Sequence, residues 1–215
     1  MTGVSADRVR AMLETMARLQ DDHNCKVASD WRDRGFPYAR AVWVECAELL
    51  DHFGWKWWKQ QQPDLGQVRL EVVDIWHFGL SMLLLEGEVD AGTVKLFETR
   101  VGQQRSLDAF RSDVEALALA ALADQRFDIA AFIDLLNGLD MDLADLTREY
   151  IGKNVLNNFR QAHGYQDGSY RKVWGGREDN VHLLEVIDDL DAGAPDFADR
   201  LWDALGARYR STATA

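Results

Sequence analysis

Four carboxylates with helical spacing are the residues of this sequence that point most directly to chemistry. Glu45 and Glu48 lie three positions apart in the largely apolar run WVECAELL, and Glu71 and Asp74 are spaced alike in LEVVDIWHFGLSMLLL. Residues three apart share one face of a helix, so each pair presents two acids together. Like charges crowded in an apolar setting repel strongly unless a cation lies among them. All-oxygen ligation favours a hard ion, Mg²⁺ or its substitute Mn²⁺.

The second acidic pair belongs to a helix predicted over residues 68–86, which is apolar nearly all round. Such a helix is typical of a protein interior. Its polar side chains follow one line along the surface, at Glu71, Asp74, His77 and Ser81. An isolated ExxE pair is most often a solvated helix face. Two such pairs, one of them in so apolar a helix, make metal binding about as probable as a solvated helix face.

A second polar segment, Tyr150 to Asn180, carries five lysines and arginines against three acids in a chain of net charge −12. Lys153, Asn157 and Arg160 fall on one helix face, and these side chains suit phosphate oxygens. Taken alone the segment is more often a solvated face with loops. Combined with the acidic pairs, it predicts a metal–polyphosphate site.

Helical periodicity dominates the rest of the chain, and period-two alternation is scarce, which predicts an all-α bundle. Ser5 or Asp7 is predicted to cap the first helix, and Gly54 to end the second. The helices predicted begin and end near residues 5–19, 42–53, 68–86, 107–122, 129–136, 143–159 and 196–209.

Composition excludes several classes of partner. A net charge of −12 argues against nucleic acid, whose phosphates need a basic face. The longest apolar run, residues 75–85, is too short to span a bilayer. Cys25 and Cys46 form no CxxC motif, which favours a reducing cytoplasm over a disulfide framework. We therefore expect a cytoplasmic protein without nucleic-acid or membrane partners.

Three stretches together, ECAELLDHFGWKWWK, EVVDIWHF and GKNVLNNFRQAHGYQDGSYRKVWGGREDN, strongly resemble the dimeric all-α dUTP diphosphatases, members of the all-α NTP pyrophosphatase (MazG-like) superfamily. The resemblance also covers the N-terminal helix, but nothing distinctive lies between Glu88 and Leu146. It implies a helical bundle of that type, a homodimer, and Mg²⁺-dependent hydrolysis of dUTP to dUMP and pyrophosphate. It also implies a single domain over residues 1–215, with core helices at about 5–86 and 143–160 and a nucleotide-closing segment at about 150–180.

The resemblance further implies roles for individual residues. Glu48 is the first choice for orienting or deprotonating the attacking water, although all four acids could share that task. The metal ligands and catalytic acids implied are Glu45, Glu48, Glu71 and Asp74. The phosphate-binding residues implied are Lys153, Asn157, Arg160 and Asn180. The base- and sugar-binding residues implied are Gln20, Asn24, Trp57, His77 and Phe78.

Some of these residues also have a purely structural explanation. Gln20 and Asn24 could be surface residues, and His77 a core histidine with its hydrogen bonds satisfied. One tryptophan of WKWWK is expected to face the nucleotide, and the others to pack in the core or at a dimer interface.

Three other functions stay open at this point. The substrate could be dCTP or another (d)NTP cleaved by the same superfamily, and dCTP stays open because an amide that flips can read uracil or cytosine. The protein could be a non-enzymatic nucleotide sensor on the same fold. Asp74 and His77 could form one acid-x-x-His pair of a di-iron bundle. The second such pair, Asp179 and His182, lies in a polar stretch without a buried-helix pattern, which argues against the di-iron reading.

Overall fold

The computed structural model describes residues 5–87 and 89–212, and within them helices predominate, as predicted. The helices are α1 (Ala6–Val27), α2 (Tyr38–Phe53), α3 (Leu65–Glu86), α4 (Ala91–Arg100), α5 (Phe110–Asp124), α6 (Ile129–Gly138), α7 (Leu143–Ala162), α8 (Asp179–Asp189) and α9 (Phe197–Ser211). Short 3₁₀ turns cover Trp31–Asp33 and Leu107–Ala109, and two-residue strands β1 (Val173–Trp174) and β2 (Arg177–Glu178) form a hairpin.

The predicted caps of the first two helices are present. The Ser5 side chain accepts a hydrogen bond from the backbone N–H of Arg8, which satisfies one of the unpaired donors of the first turn of α1. Gly54 follows α2 with φ at +88°, a conformation that costs glycine little. The chain then reverses direction toward α3, so α2 and α3 are neighbours in sequence and in space.

The chain divides into two compact units, residues 1–147 and 148–215, with the boundary inside α7. In the first unit, α2 packs against α3 and α5, α1 against α3 and α4, and α6 against α4 and α5. Trp76 of α3 is fully buried and stacks on Phe132 of α6. Gly79 lets the Phe127 ring approach α3, because a Cβ there would lie 2.5 Å from that ring. The all-round apolar character of α3 is thus explained by packing within one chain.

The second unit holds the rest of α7, the hairpin, α8 and α9. Gly175 and Gly176 both have positive φ, the conformation that a tight two-residue hairpin turn requires. Tyr209 of α9 stacks on Tyr170 with ring centroids 5.6 Å apart and accepts a hydrogen bond from Arg171 through its backbone carbonyl. These contacts fix the segment that leads into the hairpin.

The predicted single domain over 1–215 remains a prediction, and its residues 1–4, 88 and 213–215 lie outside the described part of the chain. Within the described residues, no helix combines the length and the apolar composition that a bilayer crossing requires.

Candidate active site

The acidic pairs of α2 and α3 face each other. One carboxylate oxygen from each of Glu45, Glu71 and Asp74 lies within 4.8 Å of the other two. Because α2 packs directly on α3 and each pair sits on one face of its helix, the two acidic faces meet in the first unit. Glu48, the remaining predicted acid, is exposed and is not part of this three-oxygen group. We call Glu45, Glu71 and Asp74 the acidic cluster.

The acidic cluster is electrostatically strained. Burial, followed by the charges of Asp74, Glu71 and Glu48, raises the pKa of Glu45 from its ordinary 4.5 to about 9. A hydrogen bond between Glu45 and Glu71 adds to that rise. The neighbouring Cys46 thiol also has its pKa raised, to about 12, by burial and by the charge of Glu45. A cation bound among these oxygens would offset the repulsion that adds to the effect of burial on these pKa values.

The donor set fits a hard divalent ion. All three groups offer carboxylate oxygens, which Mg²⁺ and Mn²⁺ prefer. With Mg–O distances of about 2.1 Å, ligand oxygens of one octahedral ion lie about 3 to 4.2 Å apart. The oxygens of the acidic cluster would need to contract only slightly to reach that range.

His52 is a neighbour of the acidic cluster that the sequence prediction missed. Its Nε2 lies 3.5 Å from Glu71 Oε1, and its side chain is 39% exposed. The signal was available, because His52 follows Glu48 by four positions and Glu45 by seven, and all three share one face of α2. The imidazole therefore lies where it can orient the Glu71 carboxylate.

A buried amide network lies between α1 and α3. Gln20 Nε2 donates to Asn24 Oδ1 at 3.0 Å and to Ser81 Oγ at 3.1 Å, and Asn24 Nδ2 donates to Ser81 Oγ at 2.9 Å. Gln20 Oε1 lies 2.6 Å from His77 Nδ1. All four side chains are buried. The alternative that Gln20 and Asn24 are surface residues is therefore wrong, and His77 belongs to this network.

The remaining predicted base contacts lie in two settings. Phe78 is half-buried, and its ring centroid lies 6.4 Å from that of Tyr38, which is also hydrogen-bonded to the Ser81 side chain. Trp57 is 90% exposed, and its ring lies edge-on to Trp58. Trp55 and Trp58 are exposed as well, so none of the three tryptophans of WKWWK packs in the core of this chain.

The four predicted phosphate-binding residues come together in the second unit. Asn180 Oδ1 accepts from Lys153 Nζ at 3.1 Å and from Arg160 at 3.2 Å, and Arg160 also donates to Asn157 Oδ1. Lys153 is only 2% exposed, so its ammonium is held in place by its surroundings. Two cations and two amides thus form one compact group, which we call the cationic cluster.

Asp179 anchors this cluster, and the sequence prediction missed it. Its carboxylate accepts two hydrogen bonds of 2.8 Å from the Arg160 guanidinium and one from the Tyr170 hydroxyl. Burial alone would raise the pKa of Asp179, but the bonds from Arg160 and Tyr170 outweigh it and hold that pKa below its usual range. The burial of Tyr170 itself, followed by the charge of Asp179, raises the pKa of the Tyr170 hydroxyl. The planar fork of Arg160 is therefore fixed in one orientation.

The description of Asp179 and His182 as part of a polar stretch without a buried helix was wrong. Both residues lie on α8 and are buried. Asp179 is engaged by Arg160, and His182 directs Nε2 toward the Trp174 carbonyl at 2.9 Å while its ring stacks on Trp174. These partners, rather than exposure, argue against a second di-iron ligand pair.

A comparison with known protein families identifies the family of this chain. A family model described as dUTPase matches residues 12–165, which include the acidic cluster, the amide network and the whole of α7. A comparison with curated protein sequences finds no match. The matched range covers well over half of the chain, and the all-helical architecture is that of the family. Members of the family generally need a divalent metal ion. The chain therefore belongs to the all-α dUTPase family, and its reaction is the hydrolysis of dUTP to dUMP and pyrophosphate.

Proposed function

We propose that the acidic cluster, together with Glu48, holds Mg²⁺ for this reaction. The observation that carries the proposal is the convergence of three carboxylate oxygens within 4.8 Å, with the pKa of Glu45 raised to about 9 by its setting. When bound, the ion supplies charge neutralisation to both the carboxylates and the phosphates. Residues of the chain orient the attacking water and bind the base, the sugar and the phosphates.

Glu48 is our candidate for orienting and deprotonating the attacking water. It is exposed, so water reaches it, and its charge acts on Glu45, which places it beside the acidic cluster. A general base must lie within hydrogen-bond reach of the proton that it accepts. Glu45, Glu71 and Asp74 are less suited to this task because each already faces the others.

We assign base and sugar binding to Gln20, Asn24, Trp57, His77 and Phe78. The buried amides supply directional donors and acceptors, which a pyrimidine edge requires. Phe78 supplies an apolar face. Trp57 is exposed and is thereby accessible to a ligand.

We assign phosphate binding to the cationic cluster, Lys153, Asn157, Arg160 and Asn180. In a chain of net charge −12, two cations beside the single buried carboxylate of Asp179 leave a local positive charge that attracts a triphosphate. The Arg160 fork is engaged by Asp179, so Arg160 and Lys153 serve here as positive charges held at fixed positions for the phosphates.

A substrate and metal panel tests the proposed site. With Mg²⁺, we expect dUTP to be converted to dUMP and pyrophosphate, with lower or no turnover of dTTP, UTP and dATP. The comparison with dCTP decides whether the chain also accepts cytosine. Activity is expected to disappear in EDTA and to return with Mg²⁺ or Mn²⁺, since carboxylate oxygens suit both. Fast turnover that persists in EDTA would contradict the metal assignment.

Arg160→Lys tests the cationic cluster. Lysine keeps the charge but cannot make the bidentate contact with Asp179 that fixes its position, so we expect KM for dUTP to rise about tenfold or more while the affinity for deoxyuridine is unchanged. Steady-state kinetics and calorimetric titration measure the two quantities. Arg200→Lys, at an exposed arginine of α9, is the matched control and should leave both unchanged. An equal loss of triphosphate and nucleoside binding would show that Arg160 supports the fold rather than the phosphates.

We also propose a homodimer and a cytoplasmic location. Exposed aromatic and aliphatic side chains on and after α2 support a subunit interface, because tryptophan is enriched at such surfaces. They are Trp43, Val44, Trp55 and Trp58. The two cysteines, Cys25 and Cys46, are free thiols, which supports a reducing compartment.

A further inference from the structure

The hydroxyl of Ser81 is the centre of the buried amide network. The side chain is fully buried on α3. Its Oγ receives hydrogen bonds from Gln20 Nε2 and Asn24 Nδ2 and gives one to the carbonyl of His77, one turn earlier in the helix, at 3.1 Å. A hydroxyl has two lone pairs and one hydrogen, so the two amide N–H groups occupy both lone pairs, and the single hydrogen is left for the His77 carbonyl and the Tyr38 hydroxyl to share.

The hydrogen count allows one arrangement of the two amides. If Asn24 alone were flipped, its NH₂ would face the NH₂ of Gln20 at 3.0 Å. If Gln20 alone were flipped, two amide oxygens would face each other at the same distance. If both were flipped, Ser81 would face three acceptors, the two amide oxygens and the His77 carbonyl, with a single hydrogen to give. A buried acceptor without a hydrogen-bond donor is costly in free energy, so the Gln20 and Asn24 amides are locked in the observed orientation.

Two other neighbours do not loosen this lock. His77 Nδ1 lies 2.6 Å from Gln20 Oε1, so a protonated Nδ1 donates to that oxygen and reinforces the observed orientation. The Tyr38 hydroxyl is hydrogen-bonded to Ser81, but a hydroxyl either donates or accepts and does not dictate how an amide faces.

A locked amide distinguishes uracil from cytosine, whereas a freely flipping amide reads both. On the same edge, uracil has a carbonyl and an N–H, whereas cytosine has an amino group and an unprotonated nitrogen. Each donor of one base is therefore replaced by an acceptor in the other. Asn24 commits one Nδ2 hydrogen to Ser81 and one oxygen lone pair to Gln20, and among the described residues its other Nδ2 hydrogen has no partner. Asn24 therefore presents one donor and one acceptor in a fixed order.

We propose that Ser81 is a specificity-determining residue, which selects dUTP over dCTP by locking the orientation of the Gln20 and Asn24 amides. The proposal rests on the proposed contact of these amides with the base. Ser81 itself acts through the amides and is a positioning residue, not a catalytic one. Sites with fixed polar partners reject the mismatched analogue far more strongly than sites that adapt.

Ser81→Ala tests this role. Without the hydroxyl, both amides can flip together, because their oxygens would no longer compete with the His77 carbonyl for the single Ser81 hydrogen. We expect the ratio of kcat/KM for dUTP to that for dCTP to fall at least about tenfold, mainly through a gain in dCTP turnover. Thr99→Ala is the matched control, since Thr99 makes the same hydroxyl bond to a carbonyl one turn earlier, on α4, and its loss should leave the ratio unchanged.

A second variant keeps the proposal testable if Ser81→Ala folds poorly. Asn24→Asp replaces the amide donor with a second acceptor, so we expect the substrate preference to move toward dCTP, whose amino group can donate to it. Calorimetric titration with dUMP and dCMP gives the same comparison without turnover.

The outcomes separate this proposal from the reaction itself. A wild-type enzyme that hydrolyses dUTP but turns over dCTP equally well would overturn the role of Ser81 and leave the reaction intact. An equal fall for both substrates in Ser81→Ala, with the ratio preserved, would reduce Ser81 to a structural residue. Absence of dUTP turnover by the wild-type chain would overturn the site assignment and this proposal together.

Discussion

Replacing Glu71 with glutamine is expected to lower kcat for dUTP at least about a thousandfold. Glu71 is the most buried member of the acidic cluster, hydrogen-bonded to Glu45 and 3.5 Å from His52. A neutral amide removes one anionic oxygen from the metal ligands, and metal-assisted charge stabilisation is worth several kcal/mol, each ~1.4 kcal/mol being a factor of ten. Pyrophosphate release under saturating Mg²⁺ measures the effect, and Mg²⁺ titration is expected to show weakened binding.

The same substitution is expected to stabilise the metal-free protein. Removing one of several like charges relieves the repulsion that raises the pKa of Glu45, so the midpoint of thermal unfolding in EDTA at pH 8 should rise. Activity and stability would then change in opposite directions, which distinguishes loss of a ligand from misfolding. Glu86→Gln, at an exposed glutamate at the end of α3, is the control and should change neither. Full activity of Glu71→Gln would refute the metal assignment.

The acidic cluster could be predicted from sequence because its signal is local. Spacing alone places Glu45 with Glu48, and Glu71 with Asp74, and the apolar setting of α3 implies burial. Which of the four acids converge depends on how α2 and α3 pack, and that is a tertiary property. Glu48 therefore stands outside the three-oxygen group although its spacing equals that of the others.

Two helices escaped prediction for different reasons. α4 has only ten residues, with three buried positions, and its start is set by the Asp90 side chain, which accepts from the Thr93 N–H. Its short periodicity is weak against the surrounding polar residues. α8 begins with polar residues that are buried only because partners distant in sequence satisfy them, such as Arg160 for Asp179. Burial of that kind cannot be read from a hydrophobic pattern.

The amide network shows the same limit. A polar line through His77 and Ser81 is visible in the sequence of α3. The hydrogen-bond donors to Ser81, however, are Gln20 and Asn24, which lie roughly sixty positions earlier on α1. The resemblance implied that Gln20 and Asn24 contact the base, and the structure adds the reason why their amides hold one orientation. The hydrogen count at one buried oxygen is information that spacing does not contain.

The stability of the metal-free protein is expected to fall as pH rises from about 5 to about 9. The pKa of Glu45 is raised from 4.5 to about 9 in the folded chain, so between these values the folded state holds a proton that the unfolded state releases. The unfolding free energy therefore decreases across this window and is independent of this group below about 4.5 and above about 9. An effect of several kcal/mol corresponds to a fall of about 10 °C in the unfolding midpoint for a chain of this size.

Addition of Mg²⁺ should remove most of this decline, because an ion that binds the ionised carboxylates stabilises the folded state most at high pH. Calorimetric scans from pH 5 to 9 in EDTA and in excess Mg²⁺ compare the two conditions. Glu45→Gln is the matched variant, since it cannot ionise, and its scans in EDTA should be nearly flat over the same range. If wild type and Glu45→Gln lose stability in parallel, the pH dependence comes from elsewhere in the chain. A decline specific to the wild type and reversed by Mg²⁺ would instead show that the metal offsets the cost of ionising Glu45 in its buried, acidic setting.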